Sequence, residues 1–581
     1  MTNLECIDPE KIIPISRSST EVFKTGTWAT LRPEHREKVS ACRVSCPAGN
    51  NITEALYKVS QGDFDGALSV FLEESALPGV CGRVCYHPCQ PDCNRGQWDE
   101  AVQIRALERA ASELGKAQPQ LLTKDGNGHP VAVIGSGPAG LSAAYHLARM
   151  GHPVTLWEAE DEPGGLLRWG IPQYRLPQDV LEGDLEHIFS LGIQIHTGNL
   201  VDAEKLAELR SKHEAVFIAA GAQKTLSVDI LGIELPAVSL GVDFLRDVRR
   251  DVFEALRGKV VVIGGGNVAI DAALTASKLG ADHVDLVCLE QPVQMPAHER
   301  ECEDALEESI LFHNGWGPKC ILEEDGCLAG VEFVKCTSVF NKEGNFDPGF
   351  DESETLIRDA DKVIVAIGQA PDPSFFEENG LIDGDLGRAI LVDASTMETS
   401  ARGVFAGGDF IKTPGSVVEA IGAGKRAALA IHLQTMGKPF AEAEEKVRLG
   451  GGPSFSIHAL FHKRRDWDPG KVVRFEDLEP LFLDHQPPTT LPRRDPQLRL
   501  KGFEEINLPI DADEAVRAAQ RCFFCGVCTE CDRCFIYCPE VSIIPPGGEY
   551  RAYTADSDHC KGCAVCEAVC PRGVMNMGEG I

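Results

Sequence analysis

The run Cys528-x-x-Cys531-x-x-Cys534-x-x-x-Cys538-Pro539 returns as Cys560-x-x-Cys563-x-x-Cys566-x-x-x-Cys570-Pro571. In such a run the fourth cysteine of each half ligates the cluster of the other half. The two halves therefore have to close on each other, which constrains the tail more than any hydrophobic pattern does. One [4Fe–4S] cluster is assigned to Cys528, Cys531, Cys534 and Cys570, and a second to Cys560, Cys563, Cys566 and Cys538. Structural zinc is the competing use of CxxC pairs, but a zinc site has no need of the added CxxxCP. Cys522 and Cys525 stand just upstream, and Cys525-Cys528-Cys531 shares the CxxCxxC spacing; only the register that begins at Cys528 ends in CxxxCP. The tail is read as a carrier of single electrons.

Twenty-two cysteines would suggest disulfides in an exported chain. The start, MTNLECIDPEK, has neither a basic region nor an apolar core, and no run of about eighteen apolar residues appears. Metal ligation in a reducing cytoplasm is the expectation. A formal net charge of −32 argues against nucleic acid as a partner.

Upstream, from about residue 130, apolar strands, glycine turns and helices alternate, which implies parallel sheets covered by helices. VAVIGSGPAG (131–140) runs a strand into Gly135-x-Gly137-x-Ala139-Gly140, followed by a helix-like stretch. The glycines allow a tight turn and close approach to a pyrophosphate, which then faces a helix N-terminus. The next strand, PVTLWE, ends in Glu158, where an acid grips a ribose hydroxyl. A second copy begins VVVIGGGNVAID. It has Gly264, Gly266, Asn267, Val268 and, in the third glycine position, Ala269; its strand-end acid is Glu290. A carboxylate there suits NAD and repels the extra phosphate of NADP.

Two such folds, the second inserted into the first, suggest the pyridine-nucleotide-dependent flavin reductases. PGGLLRWGIPQYRLP supplies Gly165, Leu166 and Arg175; AVFIAAGA ends at Gly221 and VIVAIGQAP at Gly368. GVFAGGDF places Gly408 and Asp409 where such a fold binds the flavin ribityl chain or pyrophosphate. A helix starting near Ser416 aims its N-terminus at the isoalloxazine end. FAD is thus expected at the first site and NAD, rather than NADP, at the second.

The motifs CP, CGRVC, GxGPAGL, PGGLLRxGIPxYRLP, GGGNVAxD, MPA and GGD occur in that order between about residues 40 and 440. In these the chain resembles the glutamate synthase small (beta) subunit and its relatives, including the N-terminal half of dihydropyrimidine dehydrogenase. The resemblance implies FAD, NAD(P)H and iron–sulfur clusters in a helical N-terminal domain. It carries one cluster onto Cys46, Cys85 and Cys89, with Glu108 as fourth ligand. Cys42, Cys81 and Cys93 stay unassigned and could complete an alternative cluster without Glu108. Members with two N-terminal clusters have a further CxxC before the position of Cys42; here that stretch is RPEHREKVSA, so one cluster is expected to be incomplete or absent. NADP-using relatives carry an arginine pair after the second strand of the nicotinamide domain; here Leu289, Glu290 and Gln291 stand there, with Arg300 beyond.

The expected fold class is α/β: two nested Rossmann-like FAD and NAD(P) domains, a helical N-terminal iron–sulfur domain and a C-terminal bacterial ferredoxin-like dicluster domain. The expected bounds are 1–120 helical, 121–250 and 376–440 FAD-binding, 251–375 NAD(P)-binding, 441–515 a surface connector, and 516–581 ferredoxin-like. A (β/α)8 barrel for pyrimidine reduction needs about 250 residues, far more than the connector offers. The expected function is a cytoplasmic electron-transfer subunit, with no acid–base or nucleophile constellation of its own. Fused tails of this form resemble those that accompany 2-oxoacid:ferredoxin oxidoreductases. A glutamate synthase small subunit and a stand-alone NADH:ferredoxin reductase are the rival readings.

Overall fold

In the computed structural model the described residues are 22–123, 126, 128–252, 255–372, 390–411, 415–462, 467–500, 502–547 and 552–579. MTNLECIDPEK and the expected boundary at 375/376 lie outside them. The chain divides into two compact units: Cys42–Lys463 with Gln486–Cys522, and Met1–Ala41 with Arg464–His485 and Phe523–Ile581.

The larger unit contains two five-stranded parallel sheets. The first has the order Val404–Ala406, Ala215–Ile218, Val131–Ile134, Val154–Trp157, Gln194–His196. Val131–Ile134 is buried throughout, as expected of a parallel strand covered on both faces. The second sheet has the order Leu311–Asn314, His283–Cys288, Lys259–Ile263, Lys362–Val365, Val238–Leu240. Its edge strand Val238–Leu240 precedes residue 251, so the second fold begins earlier than expected. Periodicity alone could not place so short a strand. An antiparallel three-stranded sheet, Trp316–Glu324, Cys327–Phe340 and Phe346–Asp359, is inserted before Lys362–Val365.

Each sheet presents a glycine turn at the end of its central strand. Gly135 has φ +93° and Gly264 φ +143°; a Cβ there would lie 2.3 Å from the Ala219 carbonyl oxygen and 2.2 Å from that of Ala366, respectively. The helices that follow, Pro138–Arg149 and Asn267–Lys278, are almost wholly buried. Helices Ile52–Ser60, Phe64–Leu72, Pro78–Val84 and Ile104–Leu114 form the N-terminal layer, and Ala512–Gln520 packs on the first and last of them.

The 441–515 stretch is not the surface connector expected. Val447, Leu449, Phe455, Ile457 and Ile506 are buried. The stretch also contributes to both units. Leu449, Phe455 and Ile506 stand in irregular segments, where no helical or strand period marks a residue for burial.

In the smaller unit, Leu31–His35 pairs antiparallel with Met575–Glu579, and Glu37–Ser40 pairs parallel with Trp467–Val473. The strands Leu31–His35 and Glu37–Ser40 therefore group with the smaller unit rather than with a helical 1–120 domain. Two short helices, Arg533–Ile536 and Val565–Ala568, each follow a left-handed residue, Asp532 (φ 58°) and Ala564 (φ 63°). The cysteine repeat is thus a repeat of backbone conformation as well. No helix among the described residues is long and apolar enough to cross a membrane.

Candidate functional site

A cavity of about 550 Å³ in the larger unit opens at the first glycine turn. Gly135, Gly137, Ala139, Glu158, Gly165, Leu166, Arg175 and Gly221 line it, and so do Gly408, Asp409 and Ser416. Asn267 and Val268 reach it from the second fold. Gly140, Gly264, Gly266, Glu290 and Gly368 do not line it. Gly140 instead packs the helix onto its strand, where a Cβ would meet the Gly135 carbonyl oxygen at 1.9 Å.

Glu158 ends its strand buried beneath the turn. Its Oε2 accepts from the Ser136 amide at 2.9 Å and from the Ser136 hydroxyl, and its Oε1 accepts from the Glu160 amide at 2.9 Å. Three donors thus fix the orientation of the carboxylate. Asp409 accepts from the Gly415 amide at 3.0 Å, and burial pushes its pKa up. Ser416 is the N-cap of Val417–Thr435 in a reciprocal pair with Glu419, so that helix directs its positive end into the cavity. The glycine turn, the Glu158 carboxylate and the second helix terminus line one cavity and fit a dinucleotide the size of FAD.

Glu290 occupies the equivalent place in the second fold. A Cβ on Gly265 would meet its Oε2 at 2.6 Å, so the carboxylate lies against the turn as Glu158 lies against Ser136. Its backbone is clamped: Asn314 Nδ2 and the Gly315 amide both donate to the Glu290 carbonyl, at 3.1 and 3.2 Å. Arg300 is engaged on its own helix with Glu303 (2.6 Å), Asp304 (3.3 Å) and Glu307 (3.5 Å). The nearby Lys335 ammonium stands 4.6 Å over the Trp316 ring.

Sequence reasoning placed Arg175 at a cofactor. Its guanidinium is in fact directed to acids of the second fold, Asp271 at 2.7 Å and Glu301. It also missed Tyr86, whose hydroxyl accepts from Asn267 Nδ2 and whose ring stacks on His298 at 5.0 Å. Nothing in the local sequence marks that tyrosine except its place beside Cys85.

Cys46, Cys85, Cys89 and Glu108 line one small cavity, with Cys81 and Asn50. Glu108 is buried, and burial followed by the Asp184 carboxylate pushes its pKa up to about 8, against the opposing hydrogen bond from Asn50. It is not a solvated helix residue. Cys85 is pushed up to about 12, chiefly by burial and then by Glu108; its sulfur accepts from the His87 amide at 3.2 Å. Val84 and Tyr86 line the large cavity and Cys85 the small one; Val417 and Val418 divide in the same way.

In the smaller unit the interleaved sets are brought together. Cys528, Cys531, Cys534 and Cys570 line one cavity; Cys538, Cys560, Cys563 and Cys566 line another. The Cys538 sulfur accepts from the Ser542 amide and the Cys570 sulfur from the Val574 amide, both at 3.4 Å. Such N–H···S bonds stabilise a charged cluster. Burial raises Cys528 and Cys534 to about 12. Burial also opposes ionisation of Cys538, but the Ser542 hydroxyl and amide outweigh it and lower the pKa. Among the described residues no three His, Cys, Asp or Glu side chains close on one ion position.

The pyridine nucleotide-disulphide oxidoreductase profile matches residues 129–424, and the profile described as dihydropyrimidine dehydrogenase domain II, 4Fe-4S cluster, matches 36–119. The NADP(+)-dependent formate dehydrogenase subunit beta of Moorella thermoacetica is 34% identical over 83% of this chain and 70% of its own length. The glutamate synthase [NADPH] small chain of Azospirillum brasilense is 33% identical over 70% of this chain and 89% of its own. The NAD-dependent dihydropyrimidine dehydrogenase subunit PreT of Escherichia coli K12 is 31% identical over 67% and 90%. Other curated relatives are matched over 63% or 48% of their length. The chain belongs to the pyridine nucleotide-disulphide oxidoreductase family, as an FAD-dependent NAD(P)H oxidoreductase with an iron–sulfur domain of the dihydropyrimidine dehydrogenase type.

Proposed function

We propose that this chain exchanges electrons between NAD(H) and a partner oxidoreductase, through FAD, an N-terminal cluster and two C-terminal clusters. The observation that carries this reading is the shared wall in the larger unit. Val84 and Tyr86 face the dinucleotide cavity while Cys85, between them, faces the thiol cradle. When bound, FAD accepts a hydride as an electron pair and releases electrons singly, which is what clusters require. The residues of the chain bind, orient and screen. Gly135 to Gly140 and the helix behind them hold a pyrophosphate, Glu158 a ribose and Asp409 the ribityl side. Cys46, Cys85 and Cys89, with Glu108, hold the first cluster; the two interleaved sets of four thiols hold the others.

Glu290 selects NADH. The relatives are named for either nucleotide, so selection has to come from this chain's own strand end. There a carboxylate lies against the glycine turn, and Arg300 is occupied by three acids of its own helix.

Anaerobic rapid mixing with NADH tests the reading: flavin absorbance should bleach first and cluster absorbance follow. Flavin reduction with no cluster bleaching at any time would refute it. The partner is addressed by pull-down from the native host. A thiamine-diphosphate 2-oxoacid:ferredoxin oxidoreductase or another one-electron oxidoreductase supports this reading. A glutamate synthase large subunit, or no partner but ferredoxin, would replace it.

A further inference from the structure

Cys46 of the thiol cradle opens the turn Cys46-Pro47-Ala48-Gly49, and the backbone carbonyls of that turn are held from outside it. Ser454 Oγ donates to the Cys46 carbonyl at 2.7 Å, Lys425 Nζ to that of Ala48 at 2.6 Å, and Arg43 Nε to that of Gly49 at 3.3 Å. The Pro47 carbonyl oxygen lies so close to Gly422 that a Cβ there would meet it at 2.7 Å. Gly422 and Lys425 both belong to helix Val417–Thr435. Val417 of that helix lines the dinucleotide cavity and Val418 the thiol cradle.

Lys425 is 1% exposed. An ammonium has three N–H donors, and three acceptors meet this one: the carbonyls of Ala48 and Phe455, at 2.6 and 2.9 Å, and Glu74 Oε2 at 2.5 Å. A neutral amine would leave one of them without its donor. Gly49, at φ +70°, makes the room, since a Cβ there would lie 3.2 Å from Nζ and 2.5 Å from the Phe455 carbonyl oxygen. Glu74 is 0% exposed. It also accepts from the Ser456 hydroxyl and from the Ile457 amide at 3.1 Å, and it faces Arg43 Nη2 at 3.6 Å. Burial opposes its charge, but Lys425 and Arg43 outweigh burial and hold the carboxyl below its ordinary pKa. The pair is thus ionised, with two cations on one carboxylate.

A buried ion pair is a poor source of stability, so folding alone does not account for a lysine here. Its position does. The ammonium is bonded to the turn two residues after Cys46. Burial raises the Cys46 thiol pKa, and Lys425 is among the groups that act against that rise.

We propose that Lys425 is a positioning residue that holds the Cys46 turn and raises the reduction potential of the N-terminal cluster, with Glu74 as the counter-charge that lowers it. Uptake of one electron in the cradle adds one negative charge there. A buried cation beside it favours the reduced state, and a buried carboxylate disfavours it. No bond forms or breaks at either residue. The proposal rests on the electron-transfer reading for the presence of a cluster on Cys46, Cys85, Cys89 and Glu108.

The test is a dye-mediated redox titration of the anaerobically purified, full-length holoprotein, followed by low-temperature EPR. The N-terminal signal is the one that Cys46→Ser removes. We expect Lys425→Met to shift its reduction equilibrium toward the oxidised form by at least about tenfold, which is about 59 mV for one electron. Glu74→Gln should shift it the opposite way. Lys425→Arg keeps the charge and should titrate near the wild type. So should the double variant Lys425→Met with Glu74→Gln, which removes one charge of each sign. Loosened packing alone would not give opposite signs that cancel. An unmoved potential in both single variants overturns the proposal, and so does a shift in the same direction in both. Should Lys425→Met lose its iron, Glu74→Gln decides: a raised potential supports the proposal, and an unchanged or lowered one overturns it. A Cys46→Ser protein that keeps every wild-type signal would take the cluster out of this cradle. That result sinks the underlying reading and the proposal with it, and it differs plainly from a signal that is present and does not move.

Discussion

Replacing Glu290 by arginine should reverse the electrostatics of the nicotinamide site without moving it. The strand end is held through its carbonyl, by Asn314 Nδ2 and the Gly315 amide, and both bonds survive the change of side chain. In the wild type an NADP phosphate brings about two negative charges near the carboxylate. At a separation of about 5 Å and the dielectric constant of water, that repulsion is about 1.7 kcal/mol. This corresponds to about fifteenfold in kcat/KM. A lower local dielectric raises the figure, and salt within a Debye length of about 8 Å reduces it. We therefore expect NADH to be preferred by at least about tenfold, and Glu290→Arg to shrink that ratio by at least a further factor of about ten. The assay is steady-state reduction of an artificial acceptor with each nucleotide, at low and high salt. Equal kcat/KM for the two nucleotides in the wild type would refute the reasoning, as would an unchanged ratio in the variant. A ratio that responds to Lys335→Ala and not to Glu290→Arg would reassign the selection to that lysine.

Cys563→Ser should bleach part of the C-terminal cluster absorbance, seen in the visible spectrum, and leave flavin reduction by NADH intact, because the flavin cavity is lined by residues of the larger unit alone. Arg175→Met should leave Asp271 and Glu301 buried without their cation. A loss of about 3–5 kcal/mol is the usual cost of such a broken pair, to be read as a fall in Tm that Asp271→Asn partly rescues in the double variant. Asp184 accepts from the Gly79 and Val80 amides at 3.1 and 2.8 Å, and burial raises its pKa to about 7. The folded state therefore holds that proton more tightly than the unfolded state, where the pKa is about 3.9. Its contribution to stability is full below about pH 4 and declines as pH rises to about 7. Asp184→Asn should flatten the fall of Tm over that window; an unchanged slope would rule out the assignment.

The two glycine turns were legible because their geometry is local. At Gly135 and Gly264 a carbonyl oxygen occupies the place of a Cβ, and no other residue meets that demand. The thiol groups were legible in their spacing: Cys570 lines one cavity with Cys528, Cys531 and Cys534, and Cys538 lines another with Cys560, Cys563 and Cys566. What stayed hidden depends on distant partners. Leu31–His35 finds its pairing strand at Met575–Glu579, at the other end of the chain. Arg175 reads as a motif residue until the second fold supplies Asp271 and Glu301. Leu449 and Phe455 stand in irregular segments with no period to mark them; only the surfaces that cover them make them core. Tyr86 is an ordinary aromatic in sequence and becomes part of the site through Asn267 and His298.

Cys85 ends the helix Pro78–Val84 in an extended conformation, with φ −65° and ψ 133°. Val84 and Tyr86 line the dinucleotide cavity and Cys85 the thiol cradle, so neighbouring residues of one segment form part of the partition between them. With a flavin in the first cavity and a cluster in the second, as proposed, the wall between them belongs to one segment of one unit, and no movement between units is needed to bring them together. Transfer over this step should therefore keep its rate in viscous glycerol or sucrose solutions. Any drag of the medium on turnover has to arise where molecules still diffuse, in the exchange of the nicotinamide coenzyme or in the docking of the partner. An insertion of one residue at this point would change which residue faces each cavity, so the segment depends on its length as well as on the Cys85 thiol.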